Sequence, residues 1–139
     1  MKTYKISSEP LDISSIQKII SGDCKLTLSA GAKAKIIRCR KFLDKKIIES
    51  DKPIYGVNTG FGWLCNQSIS EGELEILQKN LVMSHACGTG EEVPAGIVRL
   101  MLFLKIVGLA RGRSGVQMQV VERLVDFYNH GVLPVIFQQ

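Results

Sequence analysis

The spacing of apolar positions predicts short strands near the start of the chain and helices over most of the rest. Thr3-Tyr4-Lys5-Ile6 reads as a short strand. Lys25-Leu26-Thr27-Leu28 alternates residue by residue, as a half-buried strand does. Between them, Leu11 to Ile20 predicts a short helix with Asp12 as its N-cap. Ser29 then caps a long helix from Ala30 to about Glu49, in which Ile36, Ile37, Phe42, Leu43, Ile47 and Ile48 recur at helical spacing. Pro53 ends this region, and Ile54-Tyr55-Gly56-Val57 is expected as a short extended segment feeding a glycine loop.

The second half predicts three consecutive helices. Ser70-Glu71-Gly72-Glu73 has the capping-box pattern, followed by Leu74, Ile76, Leu77, Leu81 and Val82, with Gly88 as a stop. Pro94 suits the first turn of the next helix. That helix carries Ile97, Val98, Leu100, Met101, Leu104 and Val107 on more than one face, which predicts burial on several sides. Gly112 ends it. Ser114-Gly115-Val116-Gln117 matches a second capping box, opening a helix with Val120, Val121, Leu124, Val125 and Tyr128 that closes at Gly131 and Pro134. The apolar residues from Val132 to Phe137 would be a liability if exposed, so they are expected either to pack or to belong to a chain that once continued. The fold class is therefore mostly α, of α+β type.

Composition narrows the function classes. A chain of 139 residues, 45% apolar and 22% charged, is one folded domain and not a disordered segment. The four cysteines, Cys24, Cys39, Cys65 and Cys87, form no CxxC pair, and with two histidines no metal site is expected. Scattered cysteines, and an N-terminus without an apolar core, are the grounds for expecting a cytoplasmic protein. No membrane span is expected, because Arg99 and Lys105 interrupt the longest apolar run, which is also too short. The net charge of +5 is concentrated in one helix, at Lys33, Lys35, Arg38, Arg40, Lys41, Lys45 and Lys46. Without interleaved aromatics, and with Asp44 and Glu49 interrupting, this reads as a solvated face and not as a nucleic-acid arm.

Two stretches carry candidate chemistry. IYGVNTGFGWL, residues 54–64, lacks the lysine of a phosphate-binding loop and the full dinucleotide fingerprint. Composition alone favours a structural turn, since glycines mark turns everywhere. The alternative is a setting for Tyr55, whose phenol ionises near pH ~10 and acts as a base only where positive charge or hydrogen bonds stabilise the phenolate. The second stretch is Ser84-His85-Ala86-Cys87-Gly88. His85 at the end of an apolar helix is either a capping or core residue or a hydrogen-bonding imidazole beside a pocket. Cys87 is two residues away and diverges from it on a helix, which argues against a Cys-His pair.

Four blocks then occur in order: IYGVNTGFGWL, LQKNLVMSHACGTGEEV, VRLMLFLKIVGLARGRSGV and GVLPVI. Together they resemble the N-terminal region of histidine ammonia-lyase and its aromatic amino-acid lyase relatives, over nearly the whole chain. The resemblance implies removal of ammonia from an aromatic amino acid through a 4-methylidene-imidazol-5-one group formed from an internal Ala-Ser-Gly triplet. It places acid–base chemistry on Tyr55 and assigns Gly56, Asn58, Thr59, Gly60, Phe61 and Gly62 to a loop closing over the substrate. It assigns substrate side-chain recognition to His85, which fits histidine or tyrosine better than phenylalanine. The complete enzyme is expected to be a homotetramer with active sites shared between subunits.

Ala-Ser-Gly occurs nowhere in the 139 residues. In the family the triplet follows shortly after a GVxPVIP segment, here Gly131 to Phe137, with Phe137 standing where a proline is expected. The expectation is a single partial domain, residues 1–139, ending before the triplet, without the prosthetic group and inactive alone. The reaction implied is deamination of L-histidine to urocanate. A tyrosine ammonia-lyase, an aminomutase of the same family, and a non-catalytic helical interaction domain are the alternatives.

Overall fold

In the computed structural model, which describes residues 2–22, 24–49, 52–60, 62–64, 67, 69 and 71–139, a parallel strand pair opens the chain. Strands β1 (Lys2–Ile6) and β2 (Cys24–Leu28) run in register from Lys2↔Cys24 to Ile6↔Leu28. Parallel neighbours need a crossover, and α1 (Ile13–Ser21) supplies it. Asp12 caps α1 as expected, its carboxylate accepting the Ser15 N–H at 2.7 Å and the Ser14 hydroxyl at 2.7 Å. These hydrogen bonds, led by the Ser15 backbone donor, lower the Asp12 pKa from 3.8 to about 2. The helices α2 (Ala30–Glu49), α3 (Leu74–His85), α4 (Ala95–Ala110) and α5 (Met118–His130) complete a mostly helical α+β architecture. None of the described helices is long and apolar enough to cross a membrane.

The backbone divides into two compact units, Met1–Asp44 with Glu92–Ile136, and Lys45–Glu91 with Phe137–Gln139. The first holds the hydrophobic core. Ile6, Leu26 and Leu28 of the strands join Ala32 and Ile36 of α2, Phe103 and Ile106 of α4, and Val121 and Tyr128 of α5. Ser29 Oγ accepts the Ala32 N–H at 3.1 Å, which starts α2 where its sequence placed it. The basic residues of α2 lie mainly on its solvated side, with Lys33 paired to Glu122 at 2.9 Å and Arg40 to Asp44 at 2.5 Å. Arg99 stacks its guanidinium on the Tyr128 ring, 4.7 Å from the centroid, and links α4 to α5.

Asn129 closes the outer edge of β2. Its Oδ1 accepts the Leu26 N–H at 2.7 Å and its Nδ2 donates to the Leu26 carbonyl at 2.9 Å, as a neighbouring strand would. Two glycines let the loop after α4 lie against α2. A Cβ on Gly112 would fall 2.6 Å from the Lys35 carbonyl carbon, and one on Gly115 would fall 2.5 Å from Leu43 Cδ2. Both have positive φ, 65° and 67°, which only glycine adopts cheaply.

Three expectations are corrected here. The capping box at Ser114-Gly115-Val116-Gln117 does not form: α5 begins at Met118 with Gln117 as N-cap and no side-chain cap bond. Gly115 is held left-handed and its carbonyl accepts from Arg40 Nη1 at 3.3 Å, so no helix passes through it. Burial of α4 is confined to one half, with Ile97, Met101 and Leu104 left 50%, 47% and 45% exposed. The segment 54–57 is a turn, for reasons given below. Gly131 does end α5, at φ 68°, with the Val132 N–H reaching back to the Phe127 carbonyl at 2.9 Å.

The second unit is built differently. None of the described α3 side chains is buried, and Trp63 is 99% exposed. Glu71–Glu73 is a 3-10 turn preceding α3, which starts at Leu74 with no side-chain cap bond. The expected cap, Ser70, lies outside the described residues. The expected packing of the apolar tail is met only in part: Leu133 packs against the core, whereas Val132, Val135 and Phe137 stay 52%, 64% and 41% exposed, and the last residues are held by backbone pairing. Thr89 and Gln139 exchange hydrogen bonds at 2.6 and 3.1 Å, and the Gln138 N–H donates to the Glu91 carbonyl at 3.0 Å.

Candidate functional site

The glycine loop is a closed turn. Ile54 has β-compatible neighbours, yet its carbonyl accepts the N–H groups of Val57 at 3.0 Å and Asn58 at 3.2 Å. Asn58 Oδ1 in return accepts the Ile54 N–H at 2.6 Å, so the side chain and backbone of one residue clamp both polar groups of the other. Gly56, at φ 73°, turns the chain inside this clamp, and that is why the expected extended segment is absent. Thr59 is fully buried: its hydroxyl accepts from Gly56 N at 3.3 Å and donates to the Gly60 carbonyl at 2.9 Å. The Gly60 N–H donates to the Gln67 carbonyl at 3.2 Å and the Ile69 N–H to the Asn58 carbonyl at 2.9 Å, which ties the turn to the returning chain. Gly62, at φ 55°, opens a 3-10 turn through Leu64. Phe61 lies outside the described residues.

Tyr55 sits at the tip of that turn, next to Gly56, and is 65% exposed. The turn therefore carries a largely exposed Tyr55 on a hydrogen-bonded base.

His85 is the last residue of α3. Its Nδ1 lies 2.9 Å from the Leu81 carbonyl oxygen and 3.0 Å from Ser84 Oγ, while the Ser84 hydroxyl itself donates to Leu81 at 2.9 Å. A carbonyl only accepts, so Nδ1 makes this bond as a donor, and the tautomer with its proton there has Nε2 as an acceptor. Sequence reasoning selected His85 but missed this arrangement, in which Ser84 and the Leu81 carbonyl set the tautomer. The signal was present, since serine before a helix-terminal histidine stands one turn from the same carbonyl. Cys87 Sγ approaches the Ser84 carbonyl at 3.9 Å and makes no bond to His85, consistent with setting aside a Cys-His pair. Tyr55 and His85 belong to the same unit, which among the described residues contributes nothing to the buried hydrophobic cluster.

Comparison with known proteins gives the family. The family model "Aromatic amino acid lyase" matches residues 11–139, nearly the whole chain. The chain belongs to the aromatic amino acid lyase family. It is 43% identical over 126 residues to histidine ammonia-lyase of Legionella pneumophila (strain Corby), covering 91% of this chain and 25% of that protein. Among solved structures, histidine ammonia-lyase from Trypanosoma cruzi superposes with a TM-score of 0.83 at 28% identity, over 100% of this chain and 27% of that one. Tyrosine aminomutase from Streptomyces globisporus superposes at 0.88 and 28% identity, over 99% of this chain and 26% of that one. The chain thus spans about a quarter of the length of the lyases it matches.

Proposed function

We propose that this chain supplies the Tyr55 loop and His85 to an ammonia-lyase that converts L-histidine to urocanate and ammonia. The observation that carries the reading is the 2.9 Å approach of His85 Nδ1 to the Leu81 carbonyl: a proton on Nδ1 makes that bond and leaves Nε2 to accept a hydrogen bond from an imidazole N–H. A substrate with a donor at the end of its side chain gains from that acceptor, and phenylalanine has none to offer. Tyr55, held at the tip of the turn by the Ile54–Asn58 clamp, serves as the acid–base group for the proton on the substrate β-carbon. That proton is weakly acidic, so the reaction also needs an electrophile, the chemistry that 4-methylidene-imidazol-5-one provides. The 139 residues contain no Ala-Ser-Gly from which that group could form. The proposal therefore assigns the electrophile to residues outside these and expects no turnover by this chain alone. A homotetrameric complete enzyme in the cytoplasm is part of the same proposal.

The test is complementation. Mixing the purified chain with the remaining three-quarters of a related lyase, carrying the triplet, should produce urocanate from histidine. Replacing Tyr55 by Phe should abolish the activity. Turnover of tyrosine with none of histidine would overturn the substrate assignment. The aminomutase reading is supported by the tyrosine aminomutase likeness, and a β-amino acid product in place of free ammonia would establish it.

A further inference from the structure

None of the described side chains of the helix that His85 ends is fully buried. A helix of 12 residues with so little burial is marginal in water, and its last turn frays first. Fraying of that turn would separate His85 Nδ1 from the Leu81 carbonyl and release the ring to either tautomer. Something must hold the residues that follow His85, and the structure shows what does so.

The segment after α3 is pinned at two points. Thr89 exchanges backbone hydrogen bonds with Gln139 at 2.6 and 3.1 Å, and the Glu91 carbonyl accepts the Gln138 N–H at 3.0 Å. Between this pairing and His85 lies Gly88, against which Phe137 is seated. A Cβ built on Gly88 would meet Phe137 Cδ2 at 3.0 Å and its Cβ at 3.1 Å, so the ring occupies the space that a side chain at 88 would need. Gly90, at φ 87°, lets the chain turn between the two points, with the Gln139 side chain lying over it.

We propose that Phe137 is a positioning residue for His85: by seating on Gly88 it holds the end of α3 wound, and so keeps the imidazole proton on Nδ1 and the acceptor on Nε2. This inference rests on the functional reading for the importance of His85, but its test does not. The readout is the pair of ring-nitrogen shifts of His85, measured by two-bond 15N–1H correlation, with amide exchange at Ala86 and Thr89 beside it.

In the unmodified chain the Nδ1–H tautomer should dominate. Phe137→Ala should shift the ring toward the Nε2–H form and raise exchange at Ala86 and Thr89 about fivefold, the worth of one net hydrogen bond. Phe137→Tyr, which keeps the ring, should leave both readouts unchanged. Gly88→Val, which displaces the ring from its seat, should reproduce the effect of Phe137→Ala. Amides of Phe103 and Ile106, in the core of the other unit, should be unaffected in every variant. An unchanged His85 tautomer in Phe137→Ala would overturn the proposal, and so would loss of protection throughout the chain. Failure of complementation with an intact Phe137 effect would instead count against the histidine-lyase reading alone.

Discussion

Asn129→Ala tests whether a side chain can stand in for a strand. Leu26 is fully buried, and its N–H and C=O both depend on the Asn129 amide, at 2.7 and 2.9 Å. Truncation removes two hydrogen bonds with a net worth of about 1 kcal/mol each, and adds a desolvation cost of about 1–3 kcal/mol for each buried group left unmet. A cleft of about 420 Å³ lined by Leu26, Thr27, Lys33, Glu122 and Asn129 adjoins the site, so water can reach part of the exposed edge. The expected loss is therefore roughly 2–4 kcal/mol, below the sum of the full penalties. Urea titration followed by far-ultraviolet circular dichroism measures it, with an unchanged m-value. Fluorescence of the single tryptophan would mislead, because Trp63 lies in the other unit. Asn129→Asp keeps an acceptor for the Leu26 N–H but sets a carboxylate against the Leu26 carbonyl. It should lose a comparable amount at neutral pH and recover part of it when acid protonates the new carboxyl. A loss below about 0.5 kcal/mol in Asn129→Ala would refute the reasoning, since one hydrogen bond alone is worth more.

Two further outcomes follow from the same contacts. Gly112→Ala combines a left-handed φ of 65° with a Cβ only 2.6 Å from the Lys35 backbone, so it should cost more than the roughly 1–2 kcal/mol of a strained residue alone. Gly131→Ala, with a similar φ of 68° but open space around the new Cβ, should cost only the strain. Equal losses in the two urea titrations would exclude a steric role for Lys35. Asp12 gives a pH signature: its folded carboxyl titrates at about 2 against an ordinary 3.8, so its contribution is present above the ordinary value and is lost as pH falls between the two. Amide exchange of the α1 residues should accelerate over that window, whereas Asp12→Asn, which caps without a charge, should show no such step.

The elements that the sequence made legible are those specified by near neighbours. Asp12 before α1, Ser29 before α2 and Gly131 after α5 each act within one helical turn, and each does so in the structure. Failures came where a distant or opposing contact decided the outcome. Ser114-Gly115-Val116-Gln117 satisfies a local pattern, but Arg40 and Leu43 of α2 hold Gly115 in a conformation that no helix contains. Ile54, Tyr55 and Val57 favour an extended chain, yet the Asn58 amide closes a turn on Ile54. Asn129 near a helix end reads as an ordinary surface residue, since nothing local announces that its amide completes a strand edge. At the candidate site the chemistry-bearing residues, Tyr55 and His85, were legible by type. The device proposed to keep His85 in place was not, because Phe137 and Gly88 are far apart in sequence.

The core and the candidate site residues reside in different units, and this has a consequence for mutagenesis. The buried cluster, from Ile6 to Tyr128, lies in one unit, whereas Tyr55, His85 and their supporting hydrogen bonds lie in the other. Global stability is governed by the first, since burial of apolar area is the main favourable term in folding. On the proposal above, order at the candidate site rests on a few backbone bonds and one seated ring, the kind of region that opens at low local free energy. Substitutions such as Ile106→Val should lower the free energy of global unfolding without altering the His85 tautomer. Substitutions such as Phe137→Ala should do the reverse. Ile106 and Phe137 belong to different units, so their effects should add, and a measured coupling energy near zero between Ile106→Val and Phe137→Ala is the quantity that separates a held site from a merely stable fold.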